Sequence, residues 1–94
     1  MGSTVRDVLN KLLWDPRESI ADHELTYIHR GAPGDMRTIP CNLIEEVKIS
    51  WFTYRSQEEV ETFIPFHRVL EIRNVKTGQT LWEKRAPRRV EKRL

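Results

Sequence analysis

Cysteine is almost missing from this 94-residue chain: Cys41 is the only one. A single thiol excludes an internal disulfide and a cysteine-rich zinc site, and it fits a reducing compartment, cytoplasmic or nuclear. Long apolar runs are missing too, since none approaches the ~18 residues that cross a bilayer. The opening residues Met1-Gly2-Ser3-Thr4-Val5-Arg6 lack the apolar stretch of a signal peptide, and Arg6 stands where a myristoylation signal needs Ser or Thr. A soluble protein without a membrane partner is expected. Glycine is scarce, with four in all, and no P-loop, nucleophile elbow or dinucleotide fingerprint is present, which sets aside the enzymes built on them. His23, His29 and His67 lack the close paired spacing of zinc motifs, so neither metal nor cofactor is expected. No internal repeat, low-complexity tract or interdomain linker is visible.

What the chain has in quantity is charge. Charged residues make up 32% of it and apolar ones 38%, yet three Trp, two Tyr and three Phe need burial, so a folded chain is expected. The formal net charge of +2 conceals an asymmetry: residues 1–83 hold 10 Lys and Arg against 13 Asp and Glu, residues 84–94 hold 6 against 1. Lys84, Arg85, Arg88, Arg89, Lys92 and Arg93 can gather around phosphates and release their counterions. A merely solvated, frayed tail is the plain alternative. The expected organisation is a single α+β domain over residues 1–85 followed by a basic C-terminal tail over 86–94.

Val5, Val8, Leu9, Leu12 and Leu13 fall at helical spacing and predict a helix over Ser3 to Leu13. Ser3 can cap it, Thr4 and Asp7 form a second capping pair, and Trp14-Asp15-Pro16 stops it. Thereafter the pattern turns to short segments rich in β-branched and aromatic residues: Glu24 to His29, Val47 to Tyr54, Val60 to Ile64, Val69 to Asn74 and Thr80 to Lys84. Lys76-Thr77-Gly78-Gln79 joins the last two as a hairpin turn, with Gly78 free to take positive φ. Pro40-Cys41-Asn42 is compatible with a helical turn over Leu43 to Glu46 or with an early strand start. The fold expected is α+β, an N-terminal helix packed on a mostly antiparallel sheet of about five short strands.

Two dipeptides stand out, His29-Arg30 and His67-Arg68, each at the end of an apolar strand beside a residue that bends the chain. Neighbouring side chains on a straight strand point to opposite faces, so each pair can share a ligand only where the backbone departs from extended geometry; Gly31 and Pro65 supply such departures. Arginine offers a planar charged fork to phosphate oxygens, and histidine can donate to the same group. Arg37, on the loop Gly31-Ala32-Pro33-Gly34-Asp35 and its continuation, can add a phosphate contact. Asp35 can orient His29 or hold an arginine. The plain readings are a turn aspartate, a solvated arginine, and arginines paired with nearby carboxylates. Among the aromatics core packing is the first expectation, with Tyr27 or Phe66 favoured if one stacks on an unpaired base.

Leu12-Leu13-Trp14-Asp15-Pro16, His29-Arg30-Gly31-Ala32-Pro33-Gly34-Asp35, Ile64-Pro65-Phe66-His67-Arg68-Val69 and Leu81-Trp82-Glu83 occur in this order, and together they resemble the RNA cyclic-group end recognition domain. That family comprises small, long-uncharacterised archaeal proteins and domains of some larger eukaryotic ones, and the likeness runs from about Val5 to Arg85. It implies binding of RNA 3′ ends bearing a 2′,3′-cyclic phosphate, with RNA-processing or end-repair enzymes as partners. Carried over by position, it nominates His29, Arg30, Gly31, Asp35, His67 and Arg68. Arg30 and Arg68 would grip the phosphate, the histidines would donate to ester oxygens or ribose, and Asp35 would orient them. Two other classes compete: a metal-independent phosphoesterase using both histidines, and a protein-interaction module without RNA affinity. Against the first, neither histidine begins a His-x-Thr or His-x-Ser word.

Overall fold

The computed structural model describes residues 4–15, 17–56 and 58–84. Its first element, α1 (Val5–Trp14), starts at Thr4, whose hydroxyl accepts from the Asp7 amide at 3.1 Å while the Asp7 carboxylate accepts from the Thr4 amide at 3.3 Å. That reciprocal pair satisfies two amides that the first helical turn leaves without partners. Ser3, the other expected cap, and Pro16, the expected stop, lie outside the described residues. Val5, Val8, Leu9 and Leu12 form the buried stripe. No helix among the described residues is long and apolar enough to cross a membrane.

Among the described residues seven strands follow: β1 (His23–Ile28), β2 (Met36–Pro40), β3 (Ile44–Val47), β4 (Trp51–Arg55), β5 (Glu61–Pro65), β6 (Val69–Asn74) and β7 (Thr80–Glu83). They make two antiparallel sheets, ordered β2-β1-β6-β7 and β3-β4-β5. The class is α+β as expected, but the strands number seven rather than five and form two sheets. Met36–Pro40, unassigned from sequence, pairs with β1. Val47 to Tyr54, expected as one strand, is split by a turn in which the Lys48 amide donates to the Trp51 carbonyl at 2.8 Å. That turn contains no glycine, proline or asparagine, and Ser50 alone is a weak signal between β-rich flanks. The ambiguity over 41–46 resolves into a 3-10 turn at Cys41–Leu43 followed directly by β3. The β6–β7 hairpin forms as predicted, with Gly78 at φ 80°.

A repeat invisible at the level of composition organises the two sheets. Ile39-Pro40-Cys41-Asn42-Leu43-Ile44 leads from β2 to β3, and Ile64-Pro65-Phe66-His67-Arg68-Val69 leads from β5 to β6, each through one 3-10 turn. Pro40 (φ −68°, ψ 137°) and Pro65 (φ −65°, ψ 145°) have the same backbone, as do Ile44 (−70°, 131°) and Val69 (−73°, 133°). Each crossing carries the chain from one sheet to the other. Both prolines end edge strands, where a missing N–H costs the ladder least.

The core lies between the sheets and under α1, which packs against β7 of one sheet and β3 of the other. Leu25, Tyr27, Val69 and Ile72 enter it from the first sheet, and Phe52, Tyr54 and Ile64 from the second. Tyr27 and Tyr54 join hydroxyls at 2.6 Å across the gap. The Thr53 hydroxyl is buried and meets no hydrogen-bond partner among the described residues. An unpartnered buried hydroxyl carries its desolvation cost without return. Thr53→Val is therefore expected to match or exceed the parent stability in urea unfolding, whereas Phe52→Ala should lose about 3–5 kcal/mol by leaving a cavity.

Candidate functional site

The first dipeptide opens the β1–β2 loop. The His29 amide donates to the Asp35 carbonyl at 2.9 Å, extending the hairpin ladder beyond Ile28 and Met36. Inside that closure the Ala32 amide donates to the His29 carbonyl at 3.1 Å and the Asp35 amide to the Ala32 carbonyl at 2.8 Å. Gly31 takes φ 95°, Gly34 φ 67° and Asp35 φ 58°, left-handed conformations that glycine adopts freely and aspartate tolerates. The Asp35 carboxylate accepts from the Gly31 amide at 3.3 Å, so it braces the loop backbone. Arg30, Ile28 and Asp35 line one hollow of about 430 Å³.

The second dipeptide lies in the Phe66–Arg68 turn, with His67 and Arg68 both exposed. The Phe66 ring stacks on Phe52, centroids 6.3 Å apart and planes inclined 17°. The Phe66 amide donates to the Ser50 carbonyl, and the Lys84 ammonium donates to the His67 carbonyl. The two dipeptides lie beyond the same end of two neighbouring strands of the first sheet. Tyr27 of β1 faces Val69 of β6 across a bulge at Leu70, and His29 and His67 each stand two residues beyond that pair. A bulge at this place re-aims the strand end, as bulges beside binding sites commonly do. Among the described residues Arg30, Arg37 and Arg68 make no ion pair, whereas Arg17 and Arg55 are held by Asp15 and Glu45.

The remaining candidates divide. Arg37 lies opposite Tyr27 and lines a different hollow of about 210 Å³ with Tyr54, Ser56 and Glu58. Tyr27 is 1% exposed, so it follows the first expectation, core packing, and the alternative of stacking on a base is closed to it. Its ring lies 6.0 Å from that of His29, tilted by 60°, so it serves as a wall for the half-buried imidazole. His23 is buried and donates through Nδ1 to the Ser19 carbonyl at 2.8 Å. Burial pushes the Cys41 thiol up to about 12, with the Glu24 charge adding to it, so no thiolate forms near neutrality. Among the described residues no three His, Cys, Asp or Glu side chains come together to hold a metal ion.

The sequence reading missed a larger groove beside Phe66. Val5, Arg6, Ile49, Phe66, His67, Trp82 and Lys84 surround about 660 Å³ of open space with Thr4 at its rim. Arg6 and Ile49 also line a second hollow of about 500 Å³ that leads to Trp51. Only the fold brings these residues together, since they come from α1, the β3–β4 turn, the second crossing and β7.

Residues 2–84 match the family described as the MJ1316 RNA cyclic group end recognition domain. A UPF0248 protein of Methanococcus vannielii is 41% identical over 80 residues, covering 85% of this chain and 90% of that protein. A UPF0248 protein of Pyrococcus horikoshii is 41% identical over 86 residues, covering 92% and 95%. The UPF0248 protein MJ1316 of Methanocaldococcus jannaschii is 37% identical over 81 residues, covering 86% and 94%. No solved structure gives a significant match.

Burial pushes the Tyr27 phenol up to about 12; its bond to Tyr54 adds to this and nearby Arg37 opposes it. An ordinary phenol titrates near pH 10. The folded chain therefore holds this proton more tightly than the unfolded one, and the stability so gained is complete below about pH 10 and lost as pH rises toward 12. Tyr27→Phe is expected to cost about 1 kcal/mol near neutrality and to shrink the alkaline decline, read from urea unfolding at a series of pH values.

Proposed function

The chain belongs to the MJ1316 RNA cyclic group end recognition domain family, and from that membership we propose that it binds RNA 3′ ends, above all those closed as 2′,3′-cyclic phosphates. The supporting observation is the register of β1 on β6, which puts His29-Arg30 and His67-Arg68 at the same end of neighbouring strands. Strands lie about 5 Å apart and two residues of extended chain cover about 7 Å, distances that arginine side chains readily span. Arg30 and Arg68, without carboxylate partners among the described residues, would take the non-bridging phosphate oxygens. His29, steadied by the Tyr27 ring, and His67 would donate to the ester oxygens or the ribose. Gly31 and Asp35 would hold the loop in shape, and Arg37 would steer phosphates from its separate place. RNA-processing or end-repair enzymes would be the partners that use the bound end.

Charge alone cannot produce this preference. A cyclic phosphate is a diester with one negative charge, while a linear terminal phosphate carries close to two near neutrality, its second pKa being about 6. Arginines by themselves favour the linear end. Preference for the cyclic one has to come from imidazole donors facing ester oxygens and from a fit too close for a third free oxygen.

The test uses RNAs identical except at the 3′ end: cyclic phosphate, linear phosphate or hydroxyl, titrated at two salt concentrations. The cyclic end should bind most tightly, Arg30→Ala and Arg68→Ala should each weaken it roughly ten-fold or more, and each should lower the salt slope by about 0.7. Equal binding of all three ends, abolished by salt, would overturn the reading. Conversion of the cyclic probe to a linear phosphate during incubation would instead identify a two-histidine phosphoesterase.

A further inference from the structure

We propose that the groove floored by Phe66 and Trp82 holds unpaired bases of the RNA strand just ahead of its 3′ end, so that the ligand is a single-stranded terminus. This rests on RNA being the ligand, and it assigns a binding surface distinct from the His29–Asp35 loop. The described body of the chain is rich in acid, yet the residues lining the groove and its extension toward Trp51 include Arg6, Lys48 and Lys84 and no Asp or Glu. Lys48 is engaged by Glu46 at 3.4 Å, which leaves Arg6 and Lys84 as the cations at the rim. The half-buried Phe66 and Trp82 line the same groove, with Ile49 on it 81% exposed. Flat aromatic faces between basic side chains suit alternating bases and phosphates, the usual way of holding a single strand.

Geometry joins this groove to the end site. His67 lines the groove while its neighbour Arg68 lies in the same turn, and Lys84 donates to the His67 carbonyl. A strand whose terminal phosphate reaches Arg68 therefore has its preceding bases next to Phe66. In a duplex the bases are stacked and paired, and none is free to enter. The chain's own tail is a poor occupant, because it leads from Lys84 into Arg85, Arg88 and Arg89 and would set like charges against the rim.

The experiment uses RNA hexamers with 2-aminopurine at the two positions before the 3′ end, ending in hydroxyl or in cyclic phosphate. Binding should quench the probe's fluorescence for both ends, and a blunt duplex of the same sequence should bind at least ten-fold more weakly. Ile49→Glu and Arg6→Glu, both at exposed positions, should weaken both hexamers about ten-fold and leave the cyclic-to-hydroxyl ratio unchanged. Arg30→Ala should lower that ratio and leave the quenching intact. A ratio of one together with quenching would defeat the end-recognition reading and sustain the groove. Unquenched binding, equal duplex affinity, or RNA affinity unaffected by Ile49→Glu while that change disrupts a dimer or the capture of an acidic peptide would overturn the groove.

Discussion

The chain has to pass between two sheets twice, and each passage is made by an Ile-Pro step into one 3-10 turn. Proline fixes φ and favours an extended residue before it, so each edge strand is stopped at a set place and the next strand leaves at a set angle. The buried side chains flanking the turns, Ile39 and Ile44 in one and Ile64 and Val69 in the other, anchor both ends in the same core. The second passage delivers β6 to its place beside β1, and that pairing sets residues 29 and 67, distant in sequence, beyond the same end of neighbouring strands. The two turns share a scaffold and differ in what they display: Asn42 and Leu43 in the first, His67 and Arg68 in the second.

Much of this frame was legible from local signals. The spacing of Val5, Val8, Leu9 and Leu12 specifies a helical face, and Gly78 between two β-rich segments specifies a hairpin, because both depend on residues close in sequence. Where reading failed, the deciding contacts were remote. Met36–Pro40 is a strand because β1 supplies its partner, with only Ile39 of its five residues buried, too little alternation to register. The turn at Lys48-Ile49-Ser50 is imposed by the pairing of β3 with β4, with Ser50 its one turn-favouring residue. The Ile-Pro repeat escaped notice because its copies share two side chains and a conformation, and conformation is not written in composition.

The candidate site was legible in a different manner. The motif words name His29, Arg30, Asp35, His67 and Arg68 without saying how they are arranged, and the register of β1 on β6 sets the two words beyond the same end of neighbouring strands. Tyr27 was left between core and base stacking because an aromatic on a strand looks the same in sequence whether it faces solvent or core. Here strand alternation turns it inward with Leu25, and Tyr54 satisfies its hydroxyl. The groove was illegible for a simpler reason: Arg6, Ile49, Phe66 and Trp82 lie on four separate elements, and no short-range pattern connects them.

Taken together, the charges argue for a shape-dependent ligand. A body with more acid than base repels nucleic acid at long range, so the RNA binding proposed above has to be gathered where cations make no ion pair among the described residues. Arg68 in the second crossing and Arg6 and Lys84 around the groove meet that condition, while Arg17 and Arg55 are neutralised by their own carboxylates. A basic surface spread over the whole domain would hold any RNA along its length. Isolated cations beside aromatic faces and imidazoles reward a ligand that is correctly shaped at one point, which is what an RNA terminus offers and a continuous duplex does not.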